Sequence, residues 1–222
     1  MNYSVIAERI IELEQADLEL RDRLLKSGKL GKSYNEEMAA LHESNARQLE
    51  QMIGVIGYPT IDKVGRRASA AAWLIIQHAI GQPNFMRRCC QLLEEAVKAG
   101  QADPVHLAYL SDRIAVFEGN VQRYGTQFDW DEDGMFSPQM IDDRAKVNER
   151  RRSIGLNTLE EQTQLLWQRV NNDNQSPPRD VTKRRQNYEA WRKFVGWIDY
   201  DGAWGASHCP YRQSKLELFR SL

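Results

Sequence analysis

The stretch Ala70-Ala71-Ala72-Trp73-Leu74-Ile75-Ile76, inside an almost wholly apolar segment from Ala68 to Ile80, decides the fold. It has the composition of a helix buried on all sides, and the signals on either side of it are those of further helices. Upstream, Gly57-Tyr58-Pro59-Thr60 is a turn, and Ser33 with Glu36 forms a capping box for a helix reaching about Gly54. The first helix runs from about Ser4 to Lys26 and ends in the glycine-bearing stretch Gly28–Gly31. Downstream, Pro83 opens a helix that Gly100 follows, and Asp103-Pro104 opens another that Gly119 closes. Thr158 and Glu161 make a second capping box, for a helix ending near Val170. Only Tyr124 to Trp130 and Met135 to Met140 look like strands, flanking the hairpin signal Asp133-Gly134.

The segment Asn171 to Pro178 is a linker by composition. Beyond it lies a tail dense in aromatics: Tyr188, Trp191, Trp197, Tyr200, Trp204 and Tyr211. Tyr188, Trp191, Val195 and Ile198 fall at helical spacing, which predicts a docking helix. The expected architecture is all-α: a helical bundle-like domain over residues 1–170 with one small β-hairpin, then a linker and helical C-terminal docking extension over 171–222.

Composition bounds what such a chain can do. Of 222 residues, 41% are hydrophobic and 27% charged, enough for a sizeable core and too apolar for wholesale disorder. Thirty basic residues against 31 acidic ones leave a net charge of −1, which excludes a general electrostatic grip on nucleic acid or anionic membrane. No run approaches the ~18–20 apolar residues of a membrane span. The N-terminus is acidic and amphipathic with no signal-peptide plan, so the expected location is the cytoplasm. Three cysteines, two of them vicinal (Cys89, Cys90), make no disulfide framework.

Rotating each helix at ~100° per residue shows what interrupts its apolar stripe. Asp17 lies in the centre of the face made by Ile6, Ile10, Leu13, Leu20 and Leu24, with Arg21 at its border. On the second helix, Asn45 lies amid Tyr34, Met38, Leu41, Leu49, Met52 and Ile56, with His42 at the edge. His78 sits between Ala71, Leu74 and Ile75, and Asp112 lies on the face of Val105, Tyr109 and Val116. Polar groups buried without partners cost roughly 1–3 kcal/mol each, and charges cost more. The economical reading is that they meet one another, Asp17 and Asp112 accepting and Arg21, Arg113, His42 and His78 donating. That arrangement is either a network fixing helix register or a ligand pocket lined by carboxylates and imidazoles.

Four strings in the chain resemble a bacterial family catalogued only as a domain of unknown function. They are Gly57-Tyr58-Pro59-Thr60, Trp73 to Ala79, Ala108 to Ile114 and Gln122 to Gln127, and the Arg151, Gly155-Leu156 neighbourhood also fits. The resemblance covers roughly residues 8–166, with Tyr58 standing where members usually have Trp. It implies that His78, Asp112, Arg113, Gln122, Tyr124, Thr126 and Gln127 matter as a group. It implies no activity. In the pocket reading His78 is a general acid or base, Asp112 sets its tautomer or orients a substrate, and Arg113 holds an anionic group. Asp17, Arg21, His42, Asn45, Gln122, Tyr124, Thr126 and Gln127 then bind the ligand.

Other motifs are weaker. Asp129-Trp130-Asp131-Glu132-Asp133-Gly134 begins like a calcium loop, but Met140 stands where the bidentate Glu belongs. Zinc through Cys89, Cys90, His208 and Cys209 is opposed by the ~100° between adjacent helical residues. A transition metal on His42, His78, Asp17 or Asp112 suits helix-borne ligands. Glu-x-x-His pairs and a third buried His are absent, so no metal ligands are assigned and the cofactor is left unknown. The basic clusters Arg66-Arg67, Arg87-Arg88, Arg150 to Arg152 and Lys183 to Arg185 are dispersed and read as solvated faces. Two functions follow. One is an enzyme or small-ligand-binding protein suited to hydrolysis or group transfer on a polar metabolite. The other is a non-enzymatic interaction module (adaptor, immunity-type partner or oligomerising scaffold) whose extension docks on a protein partner or a second copy. Neither nucleic acid nor membrane is an expected partner.

Overall fold

The computed structural model describes residues 2–29 and 35–198. Among them are eight helices and a single antiparallel hairpin, so the chain is all-α with one small β element. The described residues divide into two compact units, those up to 102 together with 187–198, and residues 103–186. The boundary read at residue 170 from composition falls inside the second unit.

The first unit begins with α1 (Tyr3–Lys26), capped by the Asn2 side chain, and α2 (Glu36–Ile56). Ser33 lies outside the described residues. The observed cap of α2 is Asn35, whose Oδ1 accepts from the N–H groups of Glu37 at 2.9 Å and Met38 at 3.3 Å. Next come α3 (Ile61–His78) and α4 (Pro83–Lys98), which starts on its proline as expected. Gly65 interrupts α3 with φ 78° and ψ 161°, a conformation that only glycine takes without strain. After that break the apolar run is helical, but it is not buried all round. Ala68, Ala71, Ala72, Ile75 and Ile76 are sealed in the core, while Trp73, Leu74 and His78 are partly exposed. The alanines let backbones approach closely, and α1 packs against both α2 and α3, which also touch each other. Ile10, Leu13, Leu24 and Leu49 fill the space between them.

The second unit holds α5 (Pro104–Glu118), capped by Asp103 and ended by Gly119 in the left-handed region. The hairpin follows, β1 (Phe128–Trp130) paired with β2 (Phe136–Pro138) in the register Asp129 opposite Ser137. Then come α6 (Arg144–Ser153) and α7 (Leu159–Asn172), the latter with the full Thr158/Glu161 capping box. The strands are shorter than the sequence suggests, because the N–H groups of Arg123, Tyr124, Thr126 and Gln127 go to the Asp112 and Gln122 side chains. The Asp131 carboxylate shapes the turn, accepting from Asp133 N, Met135 N and Ser137 Oγ. The helix α6 has no counterpart in the sequence reading, because Arg-Ala-Lys-Val-Asn-Glu-Arg-Arg-Arg-Ser offers no apolar stripe. It is held by the fully buried Val147 and by an Asp143 cap.

The helix α8 (Val181–Val195) crosses from the second unit into the first at residue 187. Its Trp191, and Trp197 beyond it, are each only 2% exposed. Trp197 Nε1 donates to Ile80 O at 2.8 Å, and the Arg87 guanidinium stacks 5.0 Å from the ring centre. Arg87 Nη2 also donates to Trp197 O at 3.1 Å. The described part of the tail therefore docks on the α3–α4 corner of its own unit. Tyr200, Trp204 and Tyr211 lie outside the described residues. Trp197→Ala should lower stability by about 3–5 kcal/mol, the range for deleting a buried aromatic, in urea unfolding. A loss under 1 kcal/mol would contradict this docking.

Candidate functional site

Three helices of the first unit each bring one ionisable side chain to a single point. Asp17, in the middle of α1, has no exposed side-chain surface, and His42 of α2 is buried beside it. His78 is the last residue of α3, and its side chain keeps 25% exposure. His78 Nδ1 lies 2.7 Å from Asp17 Oδ2, and His42 Nε2 lies 3.2 Å from the same oxygen. The two imidazole rings sit 4.8 Å apart, tilted by 37°. Asn45, one turn beyond His42, donates from Nδ2 to Leu13 O at 2.9 Å, tying α2 to α1 just ahead of Asp17. Asp17 Oδ1 is buried and accepts no hydrogen bond among the described residues.

The electrostatics of Asp17 are a contest. Burial pushes its carboxyl upward, but hydrogen bonds from His42 and His78 and their charge outweigh that. The net result holds it well below the usual carboxylate range. Asp17 is thus an anion sealed in the unit by two imidazoles, one of which reaches the surface. Such a centre can orient a ring nitrogen, hold a cation or polarise a substrate.

Asp112 has a different environment. It lies in the second unit, 1% exposed, and its partners lie within that unit. Oδ1 accepts from Arg123 N at 2.8 Å, Oδ2 accepts from Thr126 N at 3.0 Å and Thr126 Oγ1 at 3.1 Å, and Tyr124 N is 3.2 Å from both oxygens. Burial pushes this carboxyl above its usual range, against the pull of those donors. Gln122, with no exposed surface, closes the same loop. Its Nε2 donates to Gln127 O and Gln139 O, and its Oε1 accepts from Gln127 N at 2.7 Å. Gly125 passes so close to α7 that an added Cβ would lie 2.8 Å from Leu159 Cδ1, and its φ is +60°. His78 and Asp112, paired in the sequence reading, thus each find their close partners within their own units.

The remaining sequence-read residues scatter. Arg21 is exposed, Arg113 is half-buried on α5, and Gln127 Nε2 donates to Thr126 Oγ1 at 3.0 Å. The acidic hairpin is balanced by arginines, with Arg184 2.9 Å from Asp129 and Arg185 2.6 Å from Glu132. The Cys89 thiol is pushed up to about 12 by burial, which leaves it unreactive.

Arg151 departs from the solvated face that the basic cluster Arg150 to Arg152 suggests. Arg151 is 1% exposed. Its Nη1 donates to Tyr124 O at 2.7 Å, Nε to Asn157 O at 2.6 Å and Nη2 to Asn157 Oδ1 at 2.9 Å. The one available signal was its place in the family-like strings.

Residues 6–171 match a family of unknown function, DUF6624. No curated protein and no solved structure matches the chain. No described helix is long and apolar enough to cross a membrane.

Proposed function

We propose that this chain, which belongs to the DUF6624 family, is an enzyme for hydrolysis or group transfer on a polar metabolite, with its reaction centre at Asp17, His42 and His78. The observation that carries this reading is the buried Asp17 carboxylate, gripped by two imidazoles through one oxygen while the other accepts no hydrogen bond from any described residue. A network present only to fix helix register gains nothing from an orphaned buried oxygen, which costs stability. The partly exposed His78 is the member placed to meet a substrate. An imidazole held by a buried carboxylate is common to acid–base, nucleophile-activating and metal-assisted cleavage of polar bonds.

The test is turnover of a panel of phosphoesters, carboxylic esters and amides by wild type and His78→Gln. A reaction that falls at least ~100-fold in the variant, with the thermal midpoint preserved, is the expected result. No turnover by wild type, together with no co-purifying metabolite in mass spectrometry, would overturn the reading. The interaction-module alternative draws its support from the second unit, where every side-chain polar atom of Asp112 and Gln122 has a partner.

A further inference from the structure

Resting on that reading, we infer that Asp17, His42 and His78 bind one divalent first-row transition-metal ion, with zinc the best match to the donor set. One donor atom from each residue lies within 4.8 Å of the others, and the three come from three different helices. Zinc binds imidazole nitrogen and carboxylate oxygen at about 2.0–2.2 Å, which places neighbouring tetrahedral ligands about 3.4 Å apart. The contacts of 2.7 and 3.2 Å to Asp17 Oδ2 are close to that spacing, so small side-chain rotations admit the ion.

Four features point to a cation. Asp17 Oδ1 is a buried acceptor without a hydrogen-bond donor among the described residues, an atom that a carboxylate binding the ion through both oxygens would satisfy. His78 ends α3, where the unpaired carbonyls of the helix C-terminus favour positive charge. Two imidazoles and one carboxylate favour zinc and its neighbours over magnesium or calcium, which take oxygen alone. Asn45 ties α2 to α1 through Leu13 O, one turn from His42 and one turn from Asp17, which holds the two ligand-bearing helices in register.

Three protein ligands leave at least one position open. Such open sites are catalytic in kind, since the ion can polarise a substrate oxygen or lower the pKa of a bound water. The sequence reading set metal aside for want of a third buried His. Asp17, already among the candidate ligands in the sequence, supplies the third from another helix, and Asp112 lies in the other unit.

The test is titration of the chelator-treated full-length chain with Co²⁺, followed by visible absorption, then displacement by Zn²⁺. Expected are one Co²⁺ per chain, displacement by one Zn²⁺, and an affinity at least ~100-fold lower in His78→Gln, beyond the 10–100-fold typical of a supporting residue. X-ray absorption of the zinc-loaded wild type should count two imidazole ligands, whether or not the buried His42→Gln variant folds. Absence of stoichiometric binding at tens of micromolar metal, undiminished binding by His78→Gln, or a spectrum without imidazole would each overturn the inference. Metal bound as described, with neither turnover nor a co-purifying metabolite, retains the metal site and overturns the proposed enzyme. Turnover that depends on His78 in a chain that binds no metal does the reverse.

Discussion

Asp112→Ala should cost about 3–5 kcal/mol and loosen the loop from Arg123 to Gln127. The carboxylate accepts from three backbone N–H groups and one hydroxyl within a side chain that is 1% exposed. Removing it orphans donors in a part-buried loop, each worth up to roughly 1–3 kcal/mol when left unsatisfied. The sum is held below simple addition because the loop can partly relax toward solvent. Asp112→Asn should fall between, since its amide turns two donors toward backbone N–H groups that need acceptors. Urea unfolding gives the magnitude, and amide exchange at residues 123–127 gives the location. A variant within 1 kcal/mol of wild type, or protection unchanged across that loop, would contradict the structural role. His78→Gln, at a partly exposed position, should cost far less. The contrast separates a residue that maintains the fold from one placed to meet a ligand.

The sequence showed the helices well because their signals are local. Pro83, the Asp103-Pro104 pair, the Thr158/Glu161 box and Gly119 each act on the turn they occupy. Hidden elements were those whose stability comes from elsewhere. The helix α6 is nearly all polar, and its anchor is an arginine whose acceptors, Tyr124 O and the Asn157 groups, are presented by loops. No hydrophobic period marks such a residue. Asp17, His42, Asn45 and Asp112 stood out as polar intrusions in apolar stripes, and the structure buries all four. Partner choice was not legible, because rotation about a helix axis says which face a residue occupies and not which helix covers it. His78 therefore turned out beside Asp17, while Asp112 bonds to the loop that follows its own helix.

Asp17→Asn should destabilise the chelator-treated protein by about 1–3 kcal/mol near neutral pH, the range for leaving a buried hydrogen-bonded group mismatched. The amide keeps the shape and loses the charge that two imidazoles share. The pH dependence has a definite sign. Burial raises the Asp17 carboxyl, but hydrogen bonds from His42 and His78 and their charge pull it further down, so its folded pKa is depressed. A depressed carboxylate contributes stability above the unfolded value, about 3.9, and that contribution is lost as pH falls through the folded value. Below about pH 4 the unfolded chain takes up a proton that the folded chain resists, which favours unfolding of wild type. Asp17→Asn has no proton to take up at that position. The advantage of wild type should therefore be full at pH 6 and shrink steadily between pH 4 and pH 3, read from paired urea midpoints. A gap that stays constant through that window would mean that Asp17 is not held as an anion in the fold. The buried anion at the centre of the first unit would then have to be abandoned.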